Sequence, residues 1–284
     1  MSMAWAILLS LVIVAALSRQ VTAAYGDGER IFYLQAHRGY SGRFPENTLL
    51  AYKEAVAAKA DVIELDVRLS ADGVAFVMHD ENLERTTNGR GPIAATAAAQ
   101  IKELDAGSWF DPRFAGERVP TLAEALEFCR GQVRVNIELK TRRLDDAMMR
   151  RTVEETARVI DQCDMWDQVL LSSFHFPALA YAGAIRPQAT TALLDWDVER
   201  TVDRQLDVLK IGGKGWFIHP KMVTSEKVAL AHERGLMVTC GAGNNPAGRE
   251  ESVQLLIDAG VDVISTNFPY EVAAILERQG LRRL

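Results

Sequence analysis

Short runs of aliphatic and β-branched residues alternate with amphipathic stretches of helix length along the chain after residue 30. The runs that read as strands are Ile31–Ala36, Asp61–Asp66, Val133–Leu139, Gln168–Ser172, Ala189–Leu194, Gly215–Ile218, Leu236–Cys240 and Asp262–Thr266. The amphipathic stretches between them include Thr48–Ala58, Asp145–Gln162, Ser225–Arg234, Arg249–Ala259 and Pro269–Arg278. This alternation predicts an α/β fold, a (β/α)8 TIM barrel. A doubly wound open sheet is the alternative, because periodicity does not report closure.

One strand-like run breaks the alternation. Val74–Met78 follows the second strand after only four residues, so no crossover helix fits between them and the two cannot be parallel neighbours. The intervening Asp72-Gly73 is a hairpin turn signal. We therefore expect the second strand to extend over Asp61–Leu69, past the barrel mouth, with the run returning antiparallel. A four-residue loop would pair Leu69 with Val74 and place His79 opposite Glu64.

The stretch from Glu81 to Pro120 contains no clear barrel strand. So long a connection within a compact domain is usually functional or forms a small lobe of its own. Thr121–Cys129 then has the pattern of the helix that should follow the second strand. We therefore predict a small inserted lobe, residues 81–120, after strand 2.

The N-terminus differs from the rest of the chain. From Met3 to Leu17 every residue except Ser10 is apolar. A helix of that length covers only about 22 Å, short of the hydrocarbon core of a bilayer. The segment ends in Val21-Thr22-Ala23 and Ala24, small residues of the kind that a signal peptidase accepts. We expect residues 1–24 to be a signal peptide, or alternatively an N-terminal anchor near a membrane. Residues 25–284 would form one catalytic barrel, periplasmic or secreted.

Charge and cysteine content exclude other classes. The formal net charge is -6, whereas a generic nucleic-acid binder needs a basic surface, so we expect no nucleic-acid partner. The chain has 3 cysteines, an odd number at wide spacing, which form neither a disulfide framework nor a zinc set. We predict that they are small buried apolar residues.

Charged residues and histidines recur at the carboxyl ends of the first strands, where barrels carry their active sites. They are His37 and Arg38, Glu64 and Asp66, His79 and Asp80, and Glu138 and Lys140. Residues two apart on a strand share a face, so Glu64 points with Asp66 and Glu138 with Lys140. Three converging carboxylates repel one another unless a cation lies among them, and all-oxygen ligands suit Ca²⁺ or Mg²⁺.

The other side chains of this set suit proton transfer and anion binding. His37 and His79 are natural proton donors and acceptors, and Arg38 and Lys140 can hold an anion. The remaining histidines lack such neighbours, and we predict structural roles for them: His175, His219 and His232.

Several ordered motifs resemble the glycerophosphodiester phosphodiesterase family. They are His37-Arg38-Gly39, Pro45-Glu46-Asn47-Thr48, Glu64-Leu65-Asp66-Val67, Asp72-Gly73, His79-Asp80, Arg85-Thr86-Thr87-Asn88-Gly89, Gly107-Ser108-Trp109, Val119-Pro120-Thr121-Leu122, Ile137-Glu138-Leu139-Lys140 and Ser172-Ser173-Phe174. The resemblance covers roughly Tyr33 to Leu276. It implies a TIM barrel of the phospholipase-C-like phosphodiesterase kind, with the 81–120 stretch as the inserted lobe.

The resemblance also implies an activity and residue roles. The activity is metal-dependent hydrolysis of glycerophosphodiesters to sn-glycerol 3-phosphate and an alcohol. The implied roles are a single divalent cation on Glu64, Asp66 and Glu138, acid/base catalysis by His37 and His79, and phosphate binding by Arg38 and Lys140. Either water or the substrate's own glycerol hydroxyl could be the nucleophile, and either histidine the acid.

The C-terminal third departs from the family pattern. Where the family commonly has Trp-Thr-Val-Asn, this chain has Gly241-Ala242-Gly243-Asn244, and Thr-Asp-x-Pro appears as Thr266-Asn267-Phe268-Pro269. Trp196 and Trp216 are candidates to replace the missing Trp. Two alternative functions remain open. The membrane-proximal start and the missing Trp allow a lysophospholipase D acting on lysophospholipids. A non-catalytic phosphodiester-binding protein is less favoured, because both His37 and His79 are present.

Overall fold

The computed structural model describes residues 32–195, 214–243 and 249–281. Its strands are β1 (Tyr33–His37), β2 (Val62–Leu69), β3 (Ala75–Val77), β4 (Arg134–Leu139), β5 (Val169–Ser173), β6 (Thr190–Asp195), β7 (Gly215–Ile218), β8 (Met237–Gly241) and β9 (Val263–Thr266). All except β3 are parallel, and β1 pairs with both β2 and β9. The sheet is therefore closed, which confirms the predicted (β/α)8 barrel and excludes the open sheet.

Most of the helices connect successive barrel strands. They are α1 (Leu49–Ala57), α2 (Ala98–Lys102), α3 (Leu122–Cys129), α4 (Asp146–Cys163), α5 (Phe176–Ile185), α6 (Ser225–Glu233), α7 (Arg249–Ala259) and α8 (Pro269–Arg278). Local chemistry sets several of their starts. The Thr48 side chain caps α1, and Thr121 with Glu124 forms a capping box on α3. The sequence had not singled out α5.

The hairpin is confirmed, but its predicted register is wrong by one residue. Val67 pairs with Val77, and Leu69 pairs with Ala75 rather than with Val74. The cause is a three-residue loop that ends at Gly73, whose φ of 86° is left-handed, in place of the four-residue loop expected. His79 therefore does not pair opposite Glu64. It lies two residues beyond the end of β3, still at the barrel mouth.

The segment between β3 and α3 has a small apolar cluster of its own. The cluster consists of Phe76, Met78, Leu83, Ile93, Ile101, Ala106 and Val119, all buried. Short helical turns at Ile93–Ala95 and Pro112–Phe114 and helix α2 build its walls. The segment thus folds as a unit beside the mouth and contributes Asp80 and Arg85 to it.

The two faces of the barrel strands differ in chemistry. Outward positions pack against the helices in two large apolar clusters. Inward positions form an apolar floor of Tyr33, Val62, Leu170, Ala192 and Val263. Above it lies a polar layer in which Gln35 Nε2 donates to Ser265 Oγ (3.0 Å) and Asn136 Nδ2 donates to Gln35 Oε1 (3.1 Å). Because successive inward positions are two residues apart, the next layer towards the mouth contains the acidic side chains.

Other sequence predictions fall on the periphery of this architecture. Cys129, Cys163 and Cys240 are free and buried, as predicted. Within the described ranges, no helix has the length and apolar character needed to cross a membrane. The predicted signal peptide or anchor at residues 1–24, Trp196 and Asn244 lie outside the described residues.

Candidate active site

Three carboxylates meet at the mouth of the barrel. Glu64 and Asp66 point inward from β2, and Glu138 points inward from β4, where it pairs in register with Asp66. One oxygen from each lies within 4.8 Å of the others, and the three residues are only 4%, 0% and 8% exposed. The convergence expected from the two-residue spacing is therefore present.

The carboxylates oppose one another electrostatically. Burial, together with the charge of Asp66, raises the pKa of Glu64 to about 8 and that of Glu138 to about 7. Burial acts in the same direction on Asp66, but Lys140 and Arg38 hold its pKa below the ordinary value. Without a further cation, Asp66 is readily ionised, whereas burial and the charge of Asp66 disfavour ionisation of Glu64 and Glu138. A further cation would remove this conflict.

The donor set fits a divalent cation that prefers oxygen ligands. Lys140 Nζ lies 2.6 Å from Glu138 Oε1 and 3.1 Å from Asp66 Oδ1. Asp66 Oδ1 is nevertheless buried without an acceptable hydrogen bond, so it retains an unused acceptor directed into the cluster. Three carboxylate oxygens with one orphaned acceptor match the ligand chemistry of Ca²⁺ and Mg²⁺.

His37 lies at the end of β1 beside the carboxylates. Its Nδ1 is 2.7 Å from Asn267 Oδ1, which places the ring proton on Nδ1 and leaves Nε2 as the basic atom. Nε2 is 3.9 Å from Glu64 Oε2, and the side chain is 35% exposed. Burial, followed by the charge of Arg38, lowers the pKa of His37 below 6.5. The ring is therefore held in one tautomer and is mostly neutral at pH 7.

Arg38 contacts the acidic cluster through both its backbone and its side chain. Its φ of 56° is left-handed, and its N–H donates to Glu64 Oε2 (2.9 Å). Its guanidinium donates to Glu46 Oε1 (2.8 Å) and lies 3.3 Å from Asp66 Oδ2. The side chain is 16% exposed. Arg38 thus neutralises two buried carboxylates and orients a third.

His79 follows β3 and faces the same mouth. Its Nδ1 lies 2.7 Å from Asp80 Oδ1, which again leaves Nε2 exposed to the cavity, and Arg68 Nε donates to its backbone carbonyl (2.8 Å). The side chain is 32% exposed, and burial lowers its pKa. His79, Glu138 and Lys140 line one cavity, so the returning hairpin brings the second histidine next to the carboxylates.

An ion-pair chain connects the two histidine regions. Arg85 donates to Asp80 Oδ2 (2.5 Å) and forms two hydrogen bonds to Glu46, at 2.8 and 2.9 Å. Glu46 then pairs with Arg38, which lies against Asp66. We define the Glu46 chain as Asp80, Arg85, Glu46, Arg38 and Asp66. It fixes the partner of His79 relative to the acidic cluster.

Sequence reasoning did not assign several of these contacts. Glu46 and Asn47 lie in the Pro45-Glu46-Asn47-Thr48 motif, and Asn47 Nδ2 donates to Asp66 Oδ2 (2.8 Å). Arg85 also lies in one of the family motifs. The polar residues of those motifs could have indicated a role at the site. Their hydrogen-bond partners could not be predicted, because they are remote in sequence. Asn267 had been noted only as a departure from the family pattern.

The other histidines and Trp216 lie away from the Glu64, Asp66 and Glu138 cluster. His175 is 3.3 Å from Thr141 Oγ1, His219 caps a short turn through the Lys221 N–H, and His232 pairs with Asp262 (2.9 Å). Trp216 is fully buried in the outer apolar cluster, because its position on β7 points towards the helices. It therefore cannot replace the missing Trp at the mouth, and that suggestion was wrong.

Comparison with known proteins agrees with this geometry. Residues 37–271 match the model of the "Glycerophosphoryl diester phosphodiesterase family". The chain is 35% identical over 248 residues to a glycerophosphodiester phosphodiesterase of Bacillus altitudinis, covering 85% of this chain and 97% of that protein. Among solved structures, an Oleispira antarctica phosphodiesterase in complex with the product sn-glycerol-3-phosphate has a TM-score of 0.78 and 30% identity, over 86% of this chain and 96% of that one. A glycerophosphodiester phosphodiesterase of Agrobacterium tumefaciens has a TM-score of 0.74 and 32% identity, over 86% and 99%. The chain therefore belongs to the glycerophosphoryl diester phosphodiesterase family, a family of phosphoric diester hydrolases.

Proposed function

We propose that the protein hydrolyses glycerophosphodiesters to sn-glycerol 3-phosphate and an alcohol, with one Ca²⁺ or Mg²⁺ held by Glu64, Asp66 and Glu138. The observation that carries the proposal is the buried carboxylate cluster with His37 and His79 on either side of it. The product-bound Oleispira relative supports the substrate class.

The bound cation would polarise a phosphoryl oxygen and offset the charge that develops in the transition state. Lys140 lies at the same mouth with a side chain only 11% exposed, so its ammonium can hold a phosphate oxygen with little competition from water. Arg38 adds positive charge beside it and, through its N–H, holds Glu64 in a ligating orientation.

The two histidines divide the proton transfers. We assign His37 as the base: its Nε2 lone pair, fixed by the Asn267 contact, takes the proton from the attacking water or glycerol hydroxyl. Attack by water gives sn-glycerol 3-phosphate directly, whereas attack by the glycerol hydroxyl gives a cyclic phosphate that a water molecule opens in a second step. We assign His79 as the acid, giving its Nε2 proton to the leaving alkoxide. The negative charge of a bound diester raises the fraction of His79 that is protonated. Exchange with solvent then returns both rings to their starting states.

The metal requirement is tested by removal and replacement. Chelator-treated protein should lose release of sn-glycerol 3-phosphate from glycerophosphocholine and recover it with Ca²⁺ or Mg²⁺. Lysophosphatidylcholine, assayed in parallel, tests the lysophospholipase D alternative, and binding without product release would indicate a non-catalytic protein. Full activity in chelator, with no metal by elemental analysis, would contradict the proposal.

The histidine assignment is tested with a better leaving group. An alkoxide, with a conjugate acid of pKa about 15, needs a proton in the transition state, and that proton contributes about 10²–10⁴-fold; a nitrophenolate, with a pKa of about 7, hardly needs it. His37→Ala and His79→Ala should both be slow on glycerophosphocholine. On the nitrophenyl ester of glycerol phosphate, only His79→Ala should recover. Equal losses on both esters would mean that neither histidine protonates the leaving group.

We also propose that the protein is exported through its N-terminal segment. The apolar run from Met3 to Leu17 and the small residues up to Ala24 support this. N-terminal sequencing of the protein from its native host should start near Ala24 or Tyr25. An intact Met1 in a membrane fraction would indicate an anchor instead.

A further inference from the structure

A cavity of about 580 Å³ opens on the His79 side of the mouth. His79, Glu138 and Lys140 line it together with three arginines, Arg68, Arg142 and Arg143. The volume is within the range of about 300–1,000 Å³ that is usual for small-molecule sites. It has room for more than the phosphate that Lys140 would hold.

The carboxylates that line this cavity already have cationic partners. Asp80 is bound by Arg85, with two contacts at 2.5 and 3.0 Å. Glu138 is bound by Lys140, and Glu81 pairs with Arg143 at 3.6 Å. The direct contacts of these acidic residues are therefore with Arg85, Lys140 and Arg143 rather than with Arg68 or Arg142.

The positive charges of Arg68 and Arg142 are not balanced by a direct ion pair. Arg68 is half-buried, and its Nε donates a hydrogen bond to the His79 carbonyl (2.8 Å). The carbonyl accepts this bond without neutralising the charge of the guanidinium. Neither arginine forms an ion pair with a carboxylate elsewhere in the described ranges. Burial lowers the pKa of Arg68 and outweighs the charges of Glu81, Asp66, Glu138 and Asp80, which favour its charged form without pairing with it directly. An anion in direct contact with this half-buried arginine would therefore offset its lost solvation.

We propose that this cavity holds the leaving alcohol of the substrate and selects alcohols that carry a second negative group, a carboxylate or a phosphate. The inference rests on the proposed function and on His79 as the acid. An alkoxide protonated by His79 departs into the space that His79 lines. A negative group further along the alcohol then meets Arg68 and Arg142, which line the same cavity.

The test compares diesters of sn-glycerol 3-phosphate that differ only in the alcohol. The four alcohols are 2-hydroxyethyl phosphate, 3-hydroxypropionate, ethylene glycol and choline. All release sn-glycerol 3-phosphate, so one assay with added Mg²⁺ or Ca²⁺ measures kcat/KM for each. We expect at least one anionic diester to exceed both the neutral and the cationic one by about tenfold, as for a charge-assisted contact. The phosphate and carboxylate arms identify which anion is preferred. The preference should fall with added salt.

Two variants locate the effect. The measured quantity is kcat/KM for the preferred anionic diester divided by kcat/KM for the choline diester. Arg68→Gln should reduce this ratio by about tenfold. Arg142→Gln should reduce it by about threefold, because Arg142 is exposed. Arg68 also holds the His79 carbonyl, so its loss slows every substrate; the ratio isolates the charge effect. Arg158→Gln removes an equal charge on the outer face of α4 and should leave the ratio unchanged.

The possible outcomes distinguish failure of the anionic subsite from failure of the proposed hydrolase function. If the wild-type enzyme hydrolyses the diesters without preferring either anionic one, or if Arg68→Gln leaves the ratio unchanged, the anionic subsite is refuted and the hydrolase remains. If the wild-type enzyme with metal hydrolyses none of the four diesters, the proposed function itself has failed, and the subsite with it.

Discussion

Replacing Glu46 by Gln tests the Glu46 chain at its central residue. The Glu46 carboxylate lies between two guanidiniums, with Arg38 at 2.8 Å and Arg85 at 2.8 and 2.9 Å, and is 12% exposed. Burial by itself would raise the pKa of Glu46, yet Arg85 and Arg38 hold it below the ordinary value. The variant leaves two cations facing a neutral amide.

The expected loss of stability follows from the exposure of each partner. Removing one member of a buried ion pair costs about 3–5 kcal/mol. Arg38 still has Asp66 at 3.3 Å, and Arg85 is 43% exposed and retains Asp80, so both contributions are reduced. We expect about 2 kcal/mol in total, which at an m-value of about 2 kcal/mol/M lowers the urea midpoint by about 1 M.

The assay is urea unfolding followed by circular dichroism in chelator, with kinetics on glycerophosphocholine alongside. Glu46→Gln should also lower kcat by about tenfold, because Arg85 loses its anchor on Glu46 and then holds Asp80, the carboxylate that orients His79, less rigidly. Glu127→Gln, which removes an exposed surface pair with Arg130, is the matched control and should shift the midpoint by no more than about 0.2 M. A Glu46→Gln midpoint equal to that of the control would refute the reasoning.

Three further predictions concern single contacts. Asn267→Leu removes the 2.7 Å acceptor of His37 Nδ1 and should lower kcat about tenfold in steady-state assays, with little change in KM. Gly39→Ala should destabilise the fold by at least about 2 kcal/mol in urea, because φ is 79° and a Cβ would lie 2.8 Å from the backbone of α1. The hydrogen bond to Asp262 raises the pKa of His232 above 6.5. Its stabilisation is therefore complete below about pH 6.5 and is lost as pH rises through the folded pKa; since the side chain is 42% exposed, it amounts to less than about 1 kcal/mol. The difference in unfolding free energy between wild type and His232→Gln should accordingly shrink from acid to alkaline pH.

Two of these predictions have a control variant, and each has a contrary outcome. Asn267→Asp retains an acceptor and should keep kcat within a few-fold of wild type; an unchanged kcat in Asn267→Leu would exclude a positioning role. Gly131→Ala has a left-handed φ of 69° but open space around the Cβ, so it should cost only about 1 kcal/mol. Equal losses at both glycines would remove the argument from close packing. A pH-independent difference for His232→Gln would show that the pair carries no net charge interaction.

Local pattern was sufficient for the fold class and for the carboxylate cluster. Strand and helix periodicities depend on residues close together in sequence, so they can be recognised without the tertiary structure. The predicted strand ends agree with the structure to within one or two residues, including the extension of β2 to Leu69. The convergence of Glu64, Asp66 and Glu138 followed from the same rule: residues two apart on a strand share a face, and parallel strands end at one mouth.

Tertiary structure decided what depends on which segments meet and in which register. One residue fewer in the β2–β3 loop shifted the hairpin pairing, a difference that turn signals do not resolve. Trp216 faces the helices rather than the mouth because its parity on β7 is set by closure of the barrel. His37 meets Asn267 across 230 positions, since β1 and β9 become neighbours only when the sheet closes. Such contacts cannot be predicted from sequence periodicity, because they arise from the packing of segments that are remote in sequence.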